Sequence, residues 1–201
     1  MFGFAQKVGM TRLFINGKYV AVTVLFFPKQ NVLQLKTTEK DGYQAIQLGA
    51  FPKRKTTKPL IGHILKATSK DWGFHQIGEF QSKTVNFDLG QVFDINSFTV
   101  GSDITVSGKT KGRGFTGAVK RWGFKGGKGS HGHDHERAVG SIGSRWPQRV
   151  PKGKKMAGHT GNETVTVVGL EIIAADPAKN LLFVGGSIAG ANKSYVKVTV
   201  A

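Results

Sequence analysis

GMTRLFINGKYVAVTVLFF, residues 9–27, sets how the chain begins to fold. Two apolar, β-branched runs, Gly9–Ile15 and Tyr19–Phe27, meet at Asn16-Gly17. Both turn residues tolerate the positive φ that a two-residue hairpin turn demands, so the segment predicts a β-hairpin. Outward from it, Val32–Thr38 and Tyr43–Leu48 are strand-like runs joined around Asp41-Gly42. Near the other end, Thr164–Ile173, Leu181–Ile188 and Tyr195–Val200 repeat the pattern, with turn signals at Asp176-Pro177 and Gly190-Ala191-Asn192. The expectation is a mainly β fold: a small β-barrel or sandwich body built from both chain ends, residues 1–52 and 160–201, with everything between as an insertion. Residues 53–108 carry Lys and acids in mixed order, a short helix pattern over Lys58–Thr68 and further strand-like runs, which predict an inserted α/β elaboration. Residues 109–159 are expected to form a long basic, Gly-rich extended arm.

The chain has 201 residues, 39% of them hydrophobic, enough for a real core. It has no Cys, which excludes disulfides, thiolate metal sites and thiol nucleophiles. Lys7 and Arg12 interrupt the apolar N-terminus, and no run reaches the about 20 apolar residues of a membrane span. A soluble, intracellular protein is expected, and the sequons at Asn162 and Asn192 are then chance matches. The formal charge of +17 calls for a polyanionic partner. That charge is local: Lys109 to Lys155 holds 13 Lys or Arg against two acids, Asp134 and Glu136, leaving 16 basic and 10 acidic residues for all the rest. The same stretch is dense in Gly and poor in Val, Ile and Leu, so it cannot bury itself and is expected to order against a partner.

Sharper motifs fail on context. Gly112-Arg113-Gly114-Phe115-Thr116-Gly117 matches a dinucleotide-binding turn, but the segment after it runs into Lys125-Gly126-Gly127-Lys128-Gly129 instead of a long helix. The Gly-Lys pairs at 108, 127 and 153 lack the earlier Gly of a phosphate loop. His131-Gly132-His133-Asp134-His135-Glu136 has metal-binding residue types, yet imidazoles in a flexible arm more readily meet bases and phosphates, and no metal is expected. His159 and Glu163 are conceivable acid and base, but the neighbouring Lys152-Gly153-Lys154-Lys155 argues for phosphate contact; no catalytic residues and no cofactor are expected. Phe115, Trp122, Phe124 and Trp146 alternate with Arg and Lys, and rings that stack on bases beside cations that meet phosphates are what RNA recognition uses. A DNA reader would show a recognition helix and a membrane binder a basic amphipathic one; glycine spacing this dense permits neither.

Ordered motifs along the whole chain resemble the large-subunit ribosomal protein three family: Lys7-Val8-Gly9-Met10-Thr11-Arg12, Gly112 to Gly117 with Val119-Lys120-Arg121-Trp122, His131-Gly132, Gly140-Ser141-Ile142-Gly143, Lys152-Gly153-Lys154-Lys155-Met156-Ala157-Gly158, and Gly161-Asn162-Glu163 leading into Val165-Thr166-Val167. The compact length resembles bacterial members. The resemblance implies a translation-factor-like barrel body and an arm directed toward the peptidyl transferase centre. It implies direct binding of large-subunit (23S) rRNA, a part in early subunit assembly, contact with neighbouring ribosomal proteins and a cytoplasmic place in the ribosome. No small-molecule substrate and no membrane partner are implied. A non-ribosomal RNA chaperone is the alternative. Bacterial members commonly carry a methylated Gln directly after Gly-Ser-Ile-Gly; here Ser144 stands there, so that modification does not carry over. The expected RNA contacts are Lys7 and Arg12 near the start, then Lys109, Lys111, Arg113, Lys120, Arg121, Trp122, Lys125, Lys128, His131, His133, His135 and Arg137. Arg145, Trp146, Arg149, Lys152, Lys154, Lys155 and His159 complete the set.

Overall fold

The computed structural model describes residues 1–68, 72–81 and 87–200. The expected hairpin forms: β1 (Phe2–Ile15) and β2 (Lys18–Phe26) pair antiparallel from Gln6↔Phe26 to Ile15↔Lys18. Asn16 at φ 49° and Gly17 at φ 79° make the turn, whose left-handed residues match the twist of the flanking strands. There follow β3 (Gln30–Lys36), α1 (Thr38–Asp41), β4 (Ala45–Lys53), α2 (Lys58–Leu65), β5 (Gly73–Gln81), β6 (Val92–Phe93) and β7 (Asp103–Lys109). Next come β8 (Phe115–Thr116), α3 (Ala118–Trp122), β9 (Gly158–His159), β10 (Thr164–Asp176), β11 (Leu181–Gly185) and β12 (Tyr195–Val200).

Six strands pair in the order β1, β12, β7, β10, β11, β2, and β2 returns to β1, so the sheet closes on itself. Inside it lie Ala5, Leu25, Phe27, Ile104, Val106, Ile172, Leu182, Val184, Val196 and Val198, the inward half of each alternating strand. A second sheet, β5-β4-β3-β6, is buried on both faces. One face packs Val32, Ile46, Leu48 and Ala50 with Phe2, Phe4, Phe80 and Phe93. Leu33 and Phe74 on the other receive Ile64 of α2, whose start is set by Pro59 in its first turn.

Two boundaries differ from the sequence expectation. β3 and β4, assigned there to the body strands, pair in the second sheet instead. β7, assigned to the elaboration, sits in the closed sheet between β12 and β10, with Ile104, Val106 and Gly108 turned inward. Alternation marks a strand and its buried face but not its partner. Residues 69–71 and 82–86 of the expected elaboration lie outside the described residues. The turn after β3 is braced by Lys36, whose ammonium lies 2.9 Å from Asp41 and holds that carboxyl below its usual range.

One side chain completes the closed sheet. β2 ends at Phe26, opposite Gln6, so Phe4 has no strand partner on that flank. Gln30, fully buried, replaces it: its Oε1 accepts from the Phe4 N–H at 2.8 Å and its Nε2 donates to the Phe4 carbonyl at 2.9 Å. A side-chain amide thus continues the ladder where the backbone has turned away. Gln30→Leu would leave two buried backbone groups unpaired, at about 1–3 kcal/mol each. Urea denaturation is expected to show Gln30→Leu destabilised by roughly 2–6 kcal/mol by that sum; an unchanged midpoint would show that the two bonds contribute nothing net.

Candidate RNA-binding arm

Thr110–Glu163 forms a compact unit of its own. Its two ends run antiparallel as a neck. The Thr110 N–H donates to the Glu163 carbonyl at 2.9 Å, Arg113 N–H to the Thr160 carbonyl at 2.9 Å and Thr160 N–H to the Gly114 carbonyl at 2.9 Å. Phe115↔His159 and Thr116↔Gly158 continue the pairing as β8 and β9. Gly161 is required here, because its φ is 77° and a Cβ would meet the Lys111 carbonyl oxygen at 2.1 Å.

Beyond the neck, α3 is a single turn ended by Gly123 in the left-handed region. It captures the returning chain at one carbonyl. Trp122 Nε1 donates to the Met156 oxygen at 2.9 Å and the Arg121 guanidinium donates to the same oxygen at 3.1 Å. The Lys155 ammonium lies 5.5 Å and the Arg121 guanidinium carbon 5.1 Å from the Trp122 ring centre, a cation–π arrangement. Trp122 is therefore partly engaged inside the unit while still 42% exposed. A further loop closes where Gly127 N–H donates to the Glu136 carbonyl at 2.9 Å, and beside it Phe124, Lys125, His133, His135 and Val139 line an open depression.

Past these anchors the unit has almost no interior. Lys111, Arg113, Lys120, Lys125, Lys128, His131, His133, His135, Arg137, Arg145, Arg149, Lys152, Lys154, Lys155 and His159 are all exposed, and Arg121 is half-buried. Among the described residues, no cation of this unit has a carboxylate within ion-pair distance. Trp146 is 72% exposed and Phe115 78% exposed, so both rings offer open faces. His133 and His135 stand edge to face with centroids 6.3 Å apart, and among the described residues no group of three His, Asp or Glu is placed to hold a metal.

The remaining expected contacts lie in the other unit. Lys109 is exposed at the end of β7, and Arg12 is exposed on the hairpin. Lys7 is a correction. It is 7% exposed, and its ammonium donates to the Ile188 carbonyl at 2.6 Å and the Gly190 carbonyl at 3.3 Å. This lysine is spent on holding the segment between β11 and β12, because desolvating an ammonium demands such acceptors. Lys7 keeps the inward phase of Gly3 and Ala5 along β1, a phase that shows only once Phe2–Val8 is known to be strand. Among the described residues no helix is long and apolar enough to cross a membrane.

The family model for ribosomal protein L3 matches residues 76–180. The chain is 46% identical over 199 residues to the large ribosomal subunit protein uL3 of Geobacter sulfurreducens, covering 96% of this chain and 94% of that one. It is 42% identical to the uL3 of Petrotoga mobilis, covering 98% and 93%, and 43% identical to that of Thermotoga maritima, covering 98% and 95%. With relatives 42–46% identical over nearly the whole chain, the chain belongs to the ribosomal protein L3 family.

Proposed function

We propose that this chain is a structural constituent of the bacterial large ribosomal subunit, working in the cytoplasm, that binds 23S rRNA directly through its basic arm. The family is one of structural constituents and not of enzymes. The observation that carries the RNA reading is the arm itself: 13 cations against two acids between Lys109 and Lys155, all but Arg121 exposed and, among the described residues, none with a carboxylate partner. Cations that meet phosphates release condensed counterions, a gain that needs no carboxylate and no pocket. Trp146 and Phe115 add open ring faces for unstacked bases. The translation-factor-like character of the closed sheet, a role in early assembly, contacts with neighbouring ribosomal proteins and a course of the arm toward the peptidyl transferase centre belong to the same reading. They rest on membership of the family.

In this mechanism the closed sheet docks as a preformed body while the arm orders against RNA. Residues 1–52 and 160–201 serve as body, 53–108 as elaboration and 109–159 as the arm, amended by the strand pairing described above. Limited proteolysis of the free protein is then expected to cut first between Lys120 and Lys155 and to spare the rest; uniform resistance would show that the arm is packed without RNA.

Affinity for 23S rRNA should fall with salt at a log–log slope of about −0.7 to −0.9 per neutralised phosphate. Replacing Lys152, Lys154 and Lys155 together by Gln is expected to lower that slope by roughly two to three units if each meets one phosphate; an unchanged slope would place the contacts elsewhere. The deciding experiment is sedimentation of a cell extract through sucrose at moderate and high salt. Co-migration with large subunits that survives high salt supports the reading, whereas a free or salt-stripped pool would make the chain an RNA chaperone.

A further inference from the structure

The β1–β2 hairpin runs past the closed sheet. β12 pairs with β1 only from Phe2 to Gln6, and β11 pairs with β2 only from Val22 to Phe26. From Thr11 to Val20 the two strands have, among the described residues, only each other as ladder partners. Such a ribbon has no interior and is marginal alone. Yet its tip carries large side chains in the open: Met10 is 53% exposed, Phe14 64% and Tyr19 70%. Phe14 and Tyr19 are register partners with ring centroids 5.0 Å apart and planes tilted by 58°. The Arg12 guanidinium carbon lies 5.3 Å over the Tyr19 ring, and Lys18 is exposed at the turn. Residues 9–27 contain these two cations and no acid.

Rings and cations presented together suit a ligand that is both flat and anionic. A protein partner would need acids facing Arg12 and Lys18 and an apolar patch for the rings; one strand of RNA supplies bases and phosphates at nucleotide spacing. We propose that the hairpin tip is a second RNA contact, where Phe14 and Tyr19 stack an unpaired base while Arg12 and Lys18 meet the flanking phosphates. The inference rests on the RNA-binding reading of the chain and extends it to a site remote in sequence from the arm.

A cross-strand aromatic pair also steadies a ribbon, so the test separates stacking from folding. The full chain is titrated with 23S rRNA transcript. Phe14→Val with Tyr19→Val keeps strand-favouring side chains but removes the rings. Hydrogen exchange over residues 11–20 confirms that the ribbon persists, and only variants that keep parental protection are compared. The expected result is binding weakened about tenfold, the loss of one stacked base, with an unchanged salt slope because no charge is removed. Phe14→Tyr with Tyr19→Phe should bind like the parent. Arg12→Gln should lower the slope by about one unit. Parental affinity in the valine double variant would overturn the inference, including when the variant instead loses a neighbouring protein from assembled subunits. If the arm lysine variant still weakens binding in that case, only the hairpin contact falls; a parent chain that shows no salt-dependent binding would overturn both readings.

Discussion

β1 is a wall shared by two cores, and the alternation of side chains along a strand decides what each residue can do. Phe2 and Phe4 project into the core under the second sheet, where Phe2 stacks on Phe80 at 5.0 Å and Phe4 meets Phe80 edge-on at 5.1 Å. Ala5, of opposite phase, enters the closed sheet. Gly3 shares that phase, and a Cβ there would lie 2.5 Å from the Phe27 ring. A one-residue slip of β1 would send two phenylalanines into the space of a glycine and an alanine. Gln30 acts against this slip, because its amide bonds the backbone of Phe4 on both its donor and its acceptor. The register of one strand thereby ties the two sheets into a single unit.

The arm follows the opposite logic. Its order comes from a short ladder at the neck and from one shared carbonyl, that of Met156, held by Arg121 and Trp122. Little apolar area is removed from water, so the hydrophobic effect cannot fix its shape. Cations without carboxylate partners repel one another in the free chain. Both facts make the segment costly to order alone and favourable to order on a polyanion.

Much of this was legible. Asn16-Gly17 located the hairpin, the pattern over Lys58–Thr68 located α2, and the apolar runs of the last 40 residues located β10, β11 and β12. The charge concentrated between Lys109 and Lys155 located the arm. Partner choice was not legible: β3, β4 and β7 each show the alternation of a strand, and nothing local states which edge they will join. Phe2–Val8 was missed as strand because Gly3 weakens its β signal, although the aromatic residues on either side are what the second core needs. Lys7 was read by its charge, and only its place on the inward side of β1 reveals that it satisfies two carbonyls. Trp122 was read as an RNA contact, and its indole N–H turns out to serve the arm itself. Phe14 and Tyr19 were read only as strand formers, since burial cannot be inferred where a ribbon outruns its sheet.

The closed sheet divides evenly around the arm. β1, β2 and β7 precede Thr110, and β10, β11 and β12 follow Glu163. During synthesis from the N-terminus the first half of the sheet emerges with open edges, and the whole cationic segment must then leave the exit channel before a closing strand exists. The most cationic part of the chain is thus exposed ahead of the completed body. Until Tyr195–Val200 arrives to join β1 to β7, the nascent sheet cannot close and stays open with a polycation attached.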